Sequence, residues 1–119
     1  MNFIRCAVKG GCVSLGGRML DLSGKLADKL ETYEGREIVF GFRPEAAELA
    51  PNGAKHTLSG RVELTEMLGD NANVYLDIDG DKVIVKVSPH EIPPLESELA
   101  FAIPEESIYL FDAVTEMVI

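Results

Sequence analysis

Apolar residues recur at every second position along most of this chain, and that period constrains its fold more than any other feature. Phe3, Ile4, Cys6 and Val8 open the pattern, Val13 and Leu15 follow, then Met19, Leu20 and Leu22. Ile38, Phe40 and Phe42 alternate, as do Val62 and Leu64, then Val74, Leu76 and Ile78. Val83, Val85 and Val87, then Leu99, Phe101 and Ile103, then Ile108 and Leu110 continue it, before a short tail at Met117–Ile119. Side chains alternate between the two faces of a strand, so each run has one face to bury. Roughly eight to ten short strands punctuated by Gly, Asp and Pro predict an all-β fold, an OB-like β-barrel or compact β-sandwich of antiparallel strands. One or two short helices interrupt it. Ser23 is placed to cap a helix over residues 24–32, with Leu26 and Leu30 on one face and Gly35 ending it. A second turn is expected after Pro44, over residues 45–49, closed by Pro51, and residues 50–57 read as an exposed loop.

Two hairpins are readable, with the buried face better fixed than the register, which a longer Gly-containing loop would change. Asp79-Gly80 lies between alternating runs, which is the strongest short-range hairpin signal. With those two residues as the loop, Leu76 faces Val83 and Val74 faces Val85 on the core side, while Asp77 faces Lys82 and Asn73 faces Lys86. A Gly80-Asp81 loop shifts the partners but keeps the same apolar face. Gly10-Gly11 as a two-residue turn sets Lys9 against Cys12, Val8 against Val13 and Cys6 against Leu15. Cys6 and Cys12, the two cysteines, then fall on opposite faces. A disulfide needs Cβ atoms within about 4.5 Å, so both are expected as free thiols.

The 119 residues suggest one domain, with a possible subdivision near residue 55. The net charge is −9 and unevenly spread. Residues 1–60 carry eight basic and seven acidic side chains, and residues 61–119 carry three basic and 13 acidic ones. This acidity argues against nucleic acid and anionic membranes as partners, since both require a basic surface. The second half presents an acidic face that aids solubility or docks a basic partner. No signal peptide and no apolar run near the roughly 20 residues of a membrane helix is present, which predicts a cytoplasmic protein.

Little in the chain reads as chemistry. His56 and His90, the two histidines, have no partner at ligand spacing, so no metal is expected. The Gly10–Gly17 stretch fails as a phosphate loop, because Arg18-Met19 stand where Lys and Ser or Thr are needed; it reads as two tight β-turns. Leu22-Ser23-Gly24-Lys25 superficially resembles the Leu-Ser-Gly-Gly-Gln signature of ATP-binding-cassette proteins but lacks the second Gly and the Gln. Acidic pairs such as Glu63 and Glu66, Asp77 and Asp79, or Glu105 and Glu106 have no neighbour to divide acid and base roles. No catalytic residue is assigned.

The most distinctive segment is Gly41-Phe42-Arg43-Pro44-Glu45. Proline forces Arg43 into an extended conformation and opens a turn with Glu45 near its start, a corner where Arg43 and a carboxylate hold geometry. This segment resembles the G-[IV/F]-R-P-E signature in the C-terminal domains of sugar-importer ABC ATPases of the maltose and multiple-sugar type. Three other stretches agree in order. Met1-Asn2-Phe3-Ile4 resembles the opening M-N-F, and residues 62–69 resemble the V-x-x-x-E-x-L-G strand, with Gly69 at its exit. Residues 110–115 resemble the closing h-L-F-D-x-x-T, carrying Phe111 and Asp112. Together they span essentially the whole chain, read as one domain over residues 1–119. Two positions depart: Ala46 stands where a histidine often follows, and Glu96-Ser97 occupies a turn that usually carries glycine, which suggests a different turn.

The resemblance implies a transport-associated OB (TOBE) module serving regulation and dimer contact, a fragment of a longer ATPase. It gives Arg43, Pro44, Glu45, Gly69, Phe111 and Asp112 structural or interface roles. It implies no cofactor here, with ATP and Mg held by a nucleotide-binding domain outside this chain. Implied partners are a second copy of the ATPase subunit, the transporter's membrane subunits through that other domain, and a regulatory protein. The implied location is the cytoplasm, peripheral to the inner face of the membrane. The rival reading is a stand-alone small-ligand or oxyanion-binding module, since some related modules bind oxyanions such as molybdate. No binding motif carries over, and the charge of −9 disfavours an anion.

Overall fold

Ten strands, one short α-helix and four 3-10 turns make up the computed structural model, which describes residues 1–15, 17–49 and 57–119. The first sheet holds β1 (Asn2–Lys9), β2 (Cys12–Leu15), β3 (Arg18–Leu20), β4 (Glu37–Phe42) and β10 (Tyr109–Asp112). Its spatial order is β10-β4-β1-β2-β3. The second sheet holds β5 (Glu48–Leu49), β6 (Thr57–Met67), β7 (Ala72–Ile78), β8 (Asp81–Val87) and β9 (Glu98–Ala102), in the order β5-β9-β6-β7-β8. Every pairing is antiparallel.

The all-β expectation holds, and both hairpin registers are as read. Val8 pairs with Val13 and Lys9 with Cys12 across Gly10-Gly11. Leu76 pairs with Val83, Val74 with Val85 and Asp77 with Lys82 across Asp79-Gly80. Both loop residues have positive φ, 53° at Asp79 and 96° at Gly80. That geometry gives the twist a two-residue hairpin needs. The cysteines are free. Cys6 lies in the core, and burial pushes its thiol up to about 12. Gly16, in the second glycine turn, lies outside the described residues, although Leu15 pairs with Arg18 beside it.

The inward faces of both sheets meet in one core. Ile38, Phe40 and Phe42 of β4 lie against Phe101, Val74, Leu76 and Val85 in a single cluster. Phe42 contacts Phe40 and Phe101, with ring centroids 6.2 and 5.7 Å apart. Burying an aromatic of this size contributes about 1.5–3 kcal/mol.

Several local expectations change. Helix α1 covers Gly24–Leu30 and gives way to a 3-10 turn over Glu31–Tyr33. Ser23 occupies its N-cap position, but the hydroxyl makes no capping bond; it donates to the Glu105 carboxylate instead, as does the Ser23 N–H. The turn after Pro44 is shorter than expected, Pro44–Ala46, because residues 48–49 extend to pair with Ala102 and Phe101 of β9. Residues 50–56, including His56, lie outside the described residues, and Thr57 belongs to a strand. Val62 and Leu64 do not share a face: a bulge between them turns Leu64 outward, to 55% exposure. One extra residue in a strand is enough to reverse which side chains face the core. Glu96 adopts the left-handed conformation, at φ 66°, which glycine favours and other residues rarely take.

Candidate functional site

The outer face of the first sheet carries the most distinctive surface. Alternation along β1, β4 and β10 sends Ile4, Cys6, Ile38, Phe40 and Leu110 inward. Their neighbours therefore point outward. Phe3 stands across from Gly41, and Gly41 from Tyr109; Arg5 stands across from Val39, and Val39 from Phe111. Phe3 and Phe111 meet diagonally over β4 with ring centroids 5.7 Å apart and planes at 68°. This is the edge-to-face arrangement that aromatic quadrupoles favour. Gly41 makes it possible. A Cβ there would lie 2.8 Å from a Phe111 ring carbon and 3.3 Å from the Met1 sulfur. The missing side chain in the middle of a strand is thus the seat of the aromatic pair.

Beside the rings opens a cleft of about 550 Å³, lined by the apolar Phe3, Val39 and Phe111 and by the charged Arg5, Asp81, Asp112 and Glu116. Asp112 is the anchored carboxylate. It accepts N–H bonds from Val114 and Thr115 at 2.8 and 3.0 Å and the Tyr33 hydroxyl at 2.9 Å. Arg36 lies 3.7 Å away and over the Tyr33 ring. The two N–H donors, then the Tyr33 hydroxyl, hold the Asp112 acid down to about 2. Each of these bonds favours the charged form. The same hydroxyl bond pushes the Tyr33 phenol up. Arg5 is paired with Glu37.

The other motif residues lie elsewhere. Arg43 is exposed and extended, as proline dictates. The expected carboxylate partner is not found among the described residues. Pro44 and Glu45 form the 3-10 turn packed on β8. Glu45 shares an open groove with Glu48, Asn71, Lys86 and Glu91. Gly69 sits in the β6–β7 loop at φ 93°, where the Leu68 N–H bonds the Asn71 carbonyl. Phe111 and Asp112 are therefore brought together at the cleft, and Arg43, Pro44, Glu45 and Gly69 are not part of it.

Sequence reasoning placed Asn2 and Gly41 within matched motifs but assigned neither a role. Asn2 is buried, and its side chain is bonded to Ile84 of β8. An asparagine and a glycine inside alternating apolar runs, where both are disfavoured, were the available signals.

Two further clusters complete the polar surface. The Glu34 carboxylate accepts three backbone N–H groups, from Gly10, Gly11 and Gly35, at 3.0, 3.1 and 3.2 Å. On the second sheet Lys82 bridges Glu63 and Asp77 at 2.9 and 3.0 Å. Among the described residues no group of three His, Cys, Asp or Glu side chains is placed to hold a metal ion, and no helix is long and apolar enough to cross a membrane.

Comparison with known proteins agrees with this architecture. The TOBE domain model matches residues 40–111, and the MalK OB fold domain model matches residues 1–47. The chain belongs to the TOBE domain family. Among curated proteins it is similar to the sn-glycerol-3-phosphate import ATP-binding protein UgpC of Chromobacterium violaceum, 39% identical over 82 residues. That match covers 69% of this chain and 22% of the relative, so the chain spans about a fifth of the relative's length. Among solved structures it is similar to the cytoplasmic molybdate-binding protein ModG with molybdate bound, at TM-score 0.69 and 22% identity, covering 92% of this chain and 94% of that one. At that identity the likeness concerns the fold.

Proposed function

We propose that this chain is the regulatory and dimer-contact domain of the ATP-hydrolysing subunit of an importer for a sugar or related polar solute. The observation that carries the reading is the identity to an import ATP-binding protein, over a segment that is 22% of that protein's length. In this reading ATP and Mg are held by a nucleotide-binding domain elsewhere in the polypeptide, and this domain supplies contacts. Its partners are a second copy of the subunit, the membrane subunits through the nucleotide-binding domain, and a regulatory protein. It works in the cytoplasm against the membrane's inner face.

Within this reading Pro44 and Glu45 shape the corner on β8, Gly69 turns the chain between β6 and β7, and Phe111 and Asp112 build the outer face of the first sheet. Arg43, exposed and without an ion pair to a described carboxylate, is available to a neighbour. The oxyanion-binding alternative draws on the fold alone. A run of backbone N–H groups is the usual cradle for an oxyanion. The one that most resembles such a site here is filled by the chain's own Glu34.

The test is removal of this domain from the full ATP-binding subunit. ATP turnover should persist, while subunit pairing weakens in sedimentation and regulation of uptake is lost. Unchanged pairing and unchanged regulation would overturn the reading. So would micromolar binding of molybdate or sulfate to the 119-residue chain by calorimetry.

A further inference from the structure

We infer that the cleft beside the Phe3–Phe111 pair is a docking site for a basic peptide segment of a partner protein, one that lays an apolar side chain against the paired rings and sets Lys or Arg against the cleft's carboxylates. This rests on the surface itself and does not depend on the importer reading.

The first argument is apolar. Phe3 is 55% exposed on a regular strand, and Met1, at 46%, lies beside it at Gly41. Val39 lines the cleft, and Tyr109 stands on β10 across from Gly41. A contiguous aromatic patch on a sheet face marks an interaction surface more often than a lone exposed side chain does. The Phe111 ring packs over the bare backbone of Gly41, so the aromatic pair is built into the sheet.

The second argument is charge. Three carboxylates, Asp81, Asp112 and Glu116, line the cleft. The one cation lining the cleft, Arg5, is neutralised by Glu37. Asp112 is oriented by Val114, Thr115 and Tyr33 and faces Arg36 at 3.7 Å, so the uncompensated negative charge at the cleft rests on Asp81 and Glu116. Asp81 and Glu116 have no bond from their carboxylates to another described residue. Aromatic faces and free carboxylates together favour a cation: a guanidinium stacks on a phenyl ring while its edge meets a carboxylate. These carboxylates reject an acidic segment by like-charge repulsion, which supplies specificity.

The test is a titration of the isotope-labelled 119-residue chain, followed by amide chemical shifts, with three short peptides of equal length. One alternates leucine with lysine and arginine, one alternates leucine with glutamate, and one alternates serine with lysine. Only the first should shift the amides of Phe3, Val39, Phe111 and Glu116. Phe3→Ser should weaken it by about fivefold or more, as expected for loss of an aromatic anchor. Asp81→Asn with Glu116→Gln should weaken it by about threefold and flatten its salt dependence. Equal binding of the glutamate peptide, or shifts confined to other surfaces, would overturn the proposal. So would concentration-dependent shifts at Phe3 without any peptide effect, which would make a second copy the occupant.

Discussion

The side-chain amide of Asn2 is hydrogen-bonded at both ends to the backbone of Ile84: its nitrogen donates to the Ile84 carbonyl at 2.7 Å, and its oxygen accepts the Ile84 N–H at 2.8 Å. Ile84 belongs to β8, an edge strand of the second sheet, and Asn2 to β1 of the first. The amide thus acts as one rung of a ladder, joins the two sheets and covers part of an open edge.

Asn2→Ala should therefore destabilise the domain by about 1–3 kcal/mol, because both Ile84 groups lose their partner. Asn2→Asp is the sharper variant. An ionised carboxylate accepts from the Ile84 N–H but has nothing to donate to its carbonyl. Its folded-state acid is then raised above the ordinary value, so its deficit against the native chain in urea unfolding should shrink as pH falls toward roughly 4, where the protonated acid regains a donor, and stay level below that. A deficit independent of pH would argue against the two-ended bond.

Gly41→Ala tests the seat of the aromatic pair. The new methyl would meet the Phe111 ring at 2.8 Å. Overpacking of this kind should cost about 1–3 kcal/mol. In a Phe111→Ala background the cost should fall by at least about 0.5 kcal/mol, since contacting sites are not additive. Additive losses would show that the strain arises elsewhere.

Glu96→Gly should raise stability. The residue is held at φ 66°. That conformation costs a non-glycine side chain about 1–2 kcal/mol. Against glycine's greater entropy in the unfolded chain, the expected net gain is about 0.5 kcal/mol. The turn's backbone bonds, Glu96 N–H to the Val62 carbonyl and Val62 N–H to the Ser97 carbonyl, need no side chain. A lower urea midpoint for this variant would contradict the assignment.

The Asp112 acid sets an acid limit. Its value is depressed in the folded chain, from 3.8 to about 2, first by the Thr115 and Val114 N–H groups. The stability it contributes is present above the unfolded value and is lost as pH falls through the folded one. Native stability relative to Asp112→Asn should therefore be constant above about pH 5 and decline between about pH 4 and 2. Tyr33→Phe should move the Asp112 titration upward in carboxyl-resolved NMR, and no movement would remove the Tyr33 hydroxyl from its causes.

The parts legible in the sequence are those whose determinants lie close together along it. Asp79-Gly80 and Gly10-Gly11 announce their hairpins because the left-handed turn and the flanking alternation are local. Ser23 misled for the opposite reason. A cap is a local inference, and its hydroxyl goes to Glu105, 82 residues away. The strand at Glu48–Leu49 is two residues long and exists only because β9 lies beside it. The bulge after Val62 broke a simple alternation by one residue. At the cleft, Phe111 was singled out as a motif residue, but its pairing with Phe3 needs the order β10-β4-β1, and only the assembled sheet supplies that. Asn2 and Gly41 were visible as residues that suit a strand poorly, with no local clue to what they served.

The strand β4 takes its two neighbours from opposite ends of the described chain, residues 2–9 and 109–112. During synthesis that arrangement imposes a schedule. Once residue 42 has left the ribosome, β4 has one partner and an open edge until residue 109 follows. At about 5–20 residues per second, that interval lasts roughly 3 to 13 s. The second sheet, drawn from residues 48–102, emerges within the same interval. The four residues of β10 are therefore a latch that closes last. A chain cut short anywhere before Tyr109 would leave a phenylalanine-bearing strand edge unpaired, which is the form most apt to aggregate.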